Sequence, residues 1–410
     1  MGLGSIVGTG VFVSIGIAAG ITGPSVVLAV VLAAFVATAN GLSSAQLAAA
    51  HPVSGGTYEY GYRYLNPTLG FTAGWMVLLA KSASAATAAL GFGGYFLDLL
   101  GVGTGWLVPT ALAAVVALTA IVLVGIRSSN AVNITIVSVT LLALAAFVVV
   151  GLPEVDGVNF EGFIGDGGAP GFIEAIALMF VAYTGYGRIA TLGEEVREPR
   201  RTIPKAIIAT LVTTMVLYGA VAFVAVGVGG AATLADLTER LAAPLEELAK
   251  GFSGDGLGAL VAIGAITAML GVLLNLVLGL SRVLLAMGRR GDMPPATARI
   301  NPAGTTPTVA VAVMGAVIAG LVLIGDVRTT WTFSAFTVLI YYSITNLAAL
   351  RLPPEDRRFP RWISVGGLVA CLFLAFWVDP IVWLVGLGLL VAGFAGRTLG
   401  RRSWAERREG

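Results

Sequence analysis

Gly4-Ser5-Ile6-Val7-Gly8-Thr9-Gly10-Val11-Phe12 sets three glycines and two hydroxyls in the middle of a stretch that is otherwise apolar from Met1 to Ala19. Such a stretch reads as a membrane-spanning helix. Glycine leaves helical geometry cheaply, and every N–H and C=O freed inside lipid must find a partner. Two readings stand side by side. In one, the small residues let neighbouring helices pack closely. In the other, the helix is broken and its freed ends hold a ligand: a half-helix N-terminus suits a carboxylate, and unwound carbonyls suit an ammonium or a cation. Phe180-Val181-Ala182-Tyr183-Thr184-Gly185-Tyr186-Gly187 repeats the pattern in a later apolar stretch. Counted in spans, these are the first and the sixth. Two interruptions at matching depth, five helices apart, point to an inverted repeat with a site at its interface.

The rest of the chain agrees with a membrane setting. Of 410 residues 57% are apolar and 11% charged, about half the charged share of soluble chains. The pattern predicts an all-α membrane protein of twelve spans: Met1 to Ala19, Pro24 to Ala50, Leu69 to Leu97, Trp106 to Ile126, Ala131 to Leu152 and Gly171 to Leu192, then Ile203 to Val228, Leu257 to Met287, Thr306 to Ile324, Trp331 to Leu350, Trp362 to Val378 and Pro380 to Ala395. The expected organisation is a first repeat over 1–152, a second over 168–350, helices 11 and 12 over 351–396 and a basic tail over 397–410. The segment Thr233 to Phe252 is too polar to span and reads as one amphipathic surface helix, with Leu234, Leu237, Leu241, Leu245 and Leu248 on its apolar side.

Charge sorts by loop. Arg63, Arg127, Arg197 to Lys205, Arg289 to Arg299, Arg351 to Arg361 and Arg397 to Arg408 fall on one side of the predicted spans. The other side carries Arg240, Lys250 and Arg328 against twelve acids from Asp98 to Asp379. Basic loops mark the cytoplasmic side, so both termini are expected there, in a multi-pass plasma-membrane protein. The formal charge of +2 is therefore a topology signal, and no nucleic-acid partner is expected. One cysteine, Cys371, and one histidine, His51, exclude a disulfide-linked partner, zinc sites and Cys/His or Ser/His/Asp catalysis. No cluster of acid, base or metal ligands at one depth suggests an enzyme, and no phosphate-cradling loop suggests an ATP-driven pump. The eight residues before Thr9 give about 12 Å of helix, short of half a bilayer, so an earlier natural start is an expectation.

The chain resembles the amino acid/polyamine/organocation transporter superfamily. The resemblance rests on the first-helix stretch, on Pro52-Val53-Ser54-Gly55-Gly56-Thr57-Tyr58, on Tyr183-Thr184-Gly185-Tyr186 running into Glu194-Glu195-Val196-Arg197-Glu198-Pro199-Arg200-Arg201-Thr202-Ile203-Pro204, on Ser281-Arg282 with Ala286-Met287, and on Thr345-Asn346-Leu347-Ala348-Ala349-Leu350-Arg351. It implies a five-plus-five inverted-repeat fold with two further helices, and secondary transport of an amino acid by alternating access as a monomer or homodimer. It further implies that Gly8, Thr9 and the Gly10 N–H hold the substrate carboxylate, that carbonyls of Ile6, Val181 and Thr184 beside Gly185 hold its amino group, and that Phe180 and Tyr183 cover it. Gly4 and Val7 match the first-helix part of the position where sodium-driven relatives bind an ion. Glu194, Glu195, Arg200 and Arg201 are then an inner gate or a solvated loop.

No cofactor is expected beyond a coupling ion, proton or sodium. Lys81 is the one charge between Leu69 and Leu97, and an ionisable side chain at that depth is costly unless it functions. Some proton-driven relatives carry a lysine on helix 5, and the matching position here is Thr140. Lys81 replaces it from another helix, or Thr140 leaves room for a real cation; sodium symport and amino acid or polyamine exchange stay open at this point. The acid that relatives carry after the sixth-helix break is replaced by Gly187. Ser84 and Asn275 are further polar residues with a place in a pocket.

Overall fold

A computed structural model describes residues 2–53, 55–125, 130–190, 198–301 and 306–409. All regular structure among them is helical. The first span is three short helices, α1 (Gly2–Ile6), α2 (Thr9–Phe12) and α3 (Ser14–Thr22), and the turn at Gly23 leads into α4 (Val26–Ala50). Gly23 has φ +67°, a conformation that only glycine adopts freely. α5 (Thr57–Tyr64) precedes the long α6 (Pro67–Leu99), which starts where the Asn66 side chain accepts from the Leu69 N–H at 2.9 Å. Then come α7 (Leu107–Val124) and α8 (Asn130–Gly151).

The sixth span is again divided: α9 (Gly168–Tyr183), a 3-10 turn over Thr184–Tyr186, and α10 (Gly187–Ala190). The second half adds α11 (Pro199–Leu241), α12 (Pro244–Ser253), α13 (Asp255–Arg289), α14 (Thr308–Val322), α15 (Val327–Leu350), α16 (Arg361–Ala375) and α17 (Pro380–Glu409). Nine helical runs among the described residues are long and apolar enough to cross a membrane, and α14 and α16 are shorter apolar helices. Dividing the run Thr9–Ala50 at Gly23 recovers the twelve predicted spans.

Burial separates centre from rim. In α6 and α15, 83% and 78% of the apolar window is buried, against 22% in the span containing α7 and 17% in the span that begins α17. Val116, Val124, Leu384 and Val391 are therefore left facing outward, the surface an apolar solvent such as lipid requires.

One expectation is corrected. The segment Thr233 to Phe252 is set off from the span by a kink at Gly230 (φ +75°), but it is two helical pieces and not one: the end of α11 and then α12, with Ala242 between them in a left-handed conformation at φ +54°. Pro244 explains the break, because a residue before proline avoids helical geometry. The basic stretch from 397 onward continues α17 as helix, an addition to the expectation and not a contradiction of it, and Arg397 within it is buried. Glu194, Glu195 and Arg127 lie outside the described residues.

Candidate functional site

The two interrupted helices cross at their breaks. Gly10 lies on α9, where a Cβ would stand 2.6 Å from Ala182 Cβ. Gly185 lies on α1, where a Cβ would stand 2.6 Å from Ile6 Cγ1 and closer still to the Ser5 carbonyl. Gly8 is extended at φ 177°, which any residue adopts; its need is for space, since a Cβ would meet Val272 Cγ2 at 2.6 Å. The helices are thus both broken at these glycines and closely packed there.

Breaking a helix exposes carbonyls, and buried tyrosines take them. Tyr218 Oη donates to the Ile6 carbonyl at 2.8 Å, Tyr95 Oη to the Phe12 carbonyl at 2.9 Å and Tyr342 Oη to the Thr184 carbonyl at 3.2 Å. The Thr184 hydroxyl donates to the Val181 carbonyl at 2.7 Å. Of the three carbonyls expected to receive an amino group, Ile6 accepts from Tyr218, while Val181 also accepts from the Thr184 backbone N–H and Thr184 also accepts from the Gly187 N–H, so these two already hold two donors each.

A cavity of about 820 Å³ starts at this crossing, within the size range of small-molecule sites. Its wall includes Ile6, Thr9, Gly10, Lys81, Ser84, Val181, Thr184, Gly185 and Asn275, so the structure brings together most of the predicted set. Lys81 reaches from α6 to the sixth-helix break, its Nζ donating to Thr184 Oγ1 at 2.7 Å. Thr9 Oγ1 is buried in the wall and has no hydrogen-bond partner. From there the cavity runs to Glu59, Arg289 and Arg290.

Other predicted residues stand outside the wall. Phe180 packs its ring edge-on against Tyr342, one layer behind the cavity, and Tyr183 turns away to donate to the Val30 carbonyl at 3.2 Å. Trp331, Tyr341 and Tyr342 supply the aromatic lining instead. Sequence reading passed over them because a tyrosine in a span is equally consistent with packing; the signal was Tyr341-Tyr342 opposite the glycine breaks. Gly4 lies against α8, where a Cβ would stand 2.6 Å from Asn133 Oδ1, and Val7 is buried beside it. Thr140 Oγ1 donates to the Ile136 carbonyl at 2.8 Å and reaches the Gly264 carbonyl at 3.3 Å, so it ties α8 to α13 rather than facing the cavity.

The amino acid permease family model matches residues 1–398. The chain belongs to the amino acid permease family. An uncharacterized transporter of Mycobacterium tuberculosis is 41% identical over 398 residues, covering 96% of this chain and 88% of that protein. The branched-chain amino acid permease BcaP of Bacillus subtilis is 28% identical over 427 residues (95% and 90% covered), and the methylthioribose transporter of the same organism 29% over 426 residues, with the same coverage. As a member of this family the chain is a membrane permease of the amino acid transporter superfamily, and not an enzyme.

The permease has two chemically distinct ends. On the far side of the crossing, Thr87 Oγ1 donates to Thr330 Oγ1 at 2.8 Å and the Ser84 and Ser334 hydroxyls meet at 2.7 Å, pinning α6 to α15. Beyond them Lys250 bonds Asp98 at 2.8 Å and lies 3.1 Å from the buried Glu246. Burial pushes the Glu246 carboxyl up to about 7; the Lys250 ammonium opposes the shift and Asp98 adds to it. At the basic end of the permease, Arg290 pairs with Glu59 and stacks 4.1 Å above the Tyr62 ring. Asp292 accepts from Tyr58 Oη at 2.8 Å, Tyr62 Oη at 2.5 Å and Arg397 Nε at 2.8 Å. The last helix is thereby tied to α5 and to the end of α13.

Proposed function

We propose that this permease moves an amino acid across the plasma membrane by alternating access, coupled to protons, with both termini in the cytoplasm. The reading rests above all on Lys81, whose Nζ lies in the cavity wall and bonds Thr184 at the sixth-helix break at 2.7 Å. A proton-binding group there senses the substrate site and the break together. Thr9 with the Gly10 N–H takes the substrate carboxylate; the Ile6 carbonyl takes the amino group, with the Val181 and Thr184 carbonyls joining it by exchanging a present donor for the ammonium. The two repeats are residues 1–152 and 168–350. The cavity reaches Arg289 and Arg290, the end that charge sorting assigns to the cytoplasm, so this conformation faces inward.

The test is uptake into proteoliposomes of labelled acidic, neutral and basic amino acids, with the outside acidified. Accumulation should follow the pH gradient, and Lys81→Met should abolish that gradient-driven accumulation. Accumulation by the variant equal to wild type, or a requirement for sodium in place of the pH gradient, would overturn proton coupling. Uptake of no amino acid at all would overturn the transport reading itself.

A further inference from the structure

Among its described lining residues the cavity carries more basic than acidic side chains. Lys81, Arg188, Arg282, Arg289 and Arg290 line it, and Glu59 is the one acid among its described lining residues. Glu59 is engaged by Arg290 near the basic end. Lys81 sits deep, at the crossing of the breaks, and its bonded neighbour there is a neutral hydroxyl, Thr184 Oγ1, which itself donates to the Val181 carbonyl. No described carboxylate pairs with Lys81. A buried ammonium is costly without a counter-charge.

A zwitterionic amino acid does not supply one. Its carboxylate and its ammonium cancel, and the breaks of the first and sixth helices take them up. The excess charge of Lys81 is left over, and a second carboxylate on the substrate side chain neutralises it. A basic side chain would place a second cation beside Lys81. The unpartnered Thr9 hydroxyl, 3% exposed and part of the same wall, is independent evidence that the site is built for a polar ligand.

We infer that the substrate is an acidic amino acid whose side-chain carboxylate is seated on Lys81. This rests on the transport reading above and narrows it. The Arg289 and Arg290 end of the cavity then offers the anion a favourable path, since a cleft lined by one sign of charge concentrates the opposite sign.

Purified wild-type permease should bind L-glutamate or L-aspartate about 10-fold or more tightly than the neutral L-glutamine or L-asparagine, one carboxylate–ammonium contact being equivalent to at least about that factor. L-arginine and L-lysine should bind weakest. Binding is read by competition against labelled glutamate and by thermal shift. Lys81→Met should bring the glutamate-to-glutamine ratio close to one, and Lys81→Arg should keep it well above one. The wild-type comparison needs no variant to fold. A ratio near one in wild type, tighter binding of L-leucine or L-arginine, or an unchanged ratio in a folded Lys81→Met protein overturns the inference while leaving amino acid transport standing. Binding of no amino acid from any class removes both.

Discussion

Gly185 presses so closely on the Ser5 carbonyl that a side chain of any size has nowhere to go. The obstacle is backbone, which cannot swing aside as a flexible side chain does. Gly185→Ala is expected to push the breaks of the first and sixth helices apart, costing about 1–3 kcal/mol in stability by overpacking and about 10-fold or more in substrate affinity. Gly219→Ala is the control, because a Cβ there meets nothing within 4 Å. Thermal melting and substrate binding of the two variants check this; equal behaviour would sink it.

The two threonines in the wall should separate cleanly. Thr9 Oγ1 is buried with no partner in the protein, so Thr9→Val should leave thermal stability unchanged or raise it while weakening substrate binding several-fold. Thr184 accepts from Lys81, and a hydrogen bond to a charged group is worth about 1.5–3 kcal/mol. Thr184→Ala should therefore lower affinity by about 10-fold to 100-fold and change the pH profile of uptake, with Thr184→Ser restoring both. A melting temperature lowered by Thr9→Val would contradict this account.

Arg397 and Asp292 form a buried pair whose side chains are 9% and 0% exposed. Removing one partner leaves the other charged and enclosed, so Arg397→Ala should cost about 3–5 kcal/mol. Exchanging both residues for apolar ones should cost less than either single change. A thermal-melting double-mutant cycle decides, and additive losses would show that the pair is not coupled.

Glu246 gives a pH signature at the other end. Its carboxyl is raised in the folded protein from near 4.5 to about 7, so the folded state holds the proton more tightly than the unfolded chain does. Stability from this group is fully present below about 4.5, falls as pH rises towards 7, and is level above it. Glu246→Gln should flatten the melting temperature between pH 5 and 8, and raise it most at pH 8. An unchanged slope would assign the pH dependence elsewhere.

The broken helices were legible because Gly4, Gly8, Gly10, Gly185 and Gly187 stand in runs that are otherwise apolar, and lipid leaves few reasons for such residues. Lys81 was legible for the same reason, as one charge in a long apolar stretch. What the sequence hid depends on tertiary crossing. The reach of Tyr218 to the Ile6 carbonyl spans 212 positions, and no local pattern encodes it. Phe180 and Tyr183 lie on the right helix, but which way each ring faces is set by the packing of α9 against Tyr342 and the Val30 carbonyl, which spacing does not specify. Arg397 reads as one more arginine in a basic tail until Asp292 is seen beside it.

That last contact sets an order of events during synthesis. Asp292 and Arg397 are 105 positions apart, so at about 5–20 residues per second the ribosome needs roughly 5–20 s to deliver the arginine after the aspartate has been made. Through that interval the carboxylate can already be held by the hydroxyls of Tyr58 and Tyr62, which are synthesised earlier. The final helix is thus the keystone of the basic end: a nascent chain stalled before Arg397 has every described lining residue of the cavity and lacks the piece that ties its basic end together.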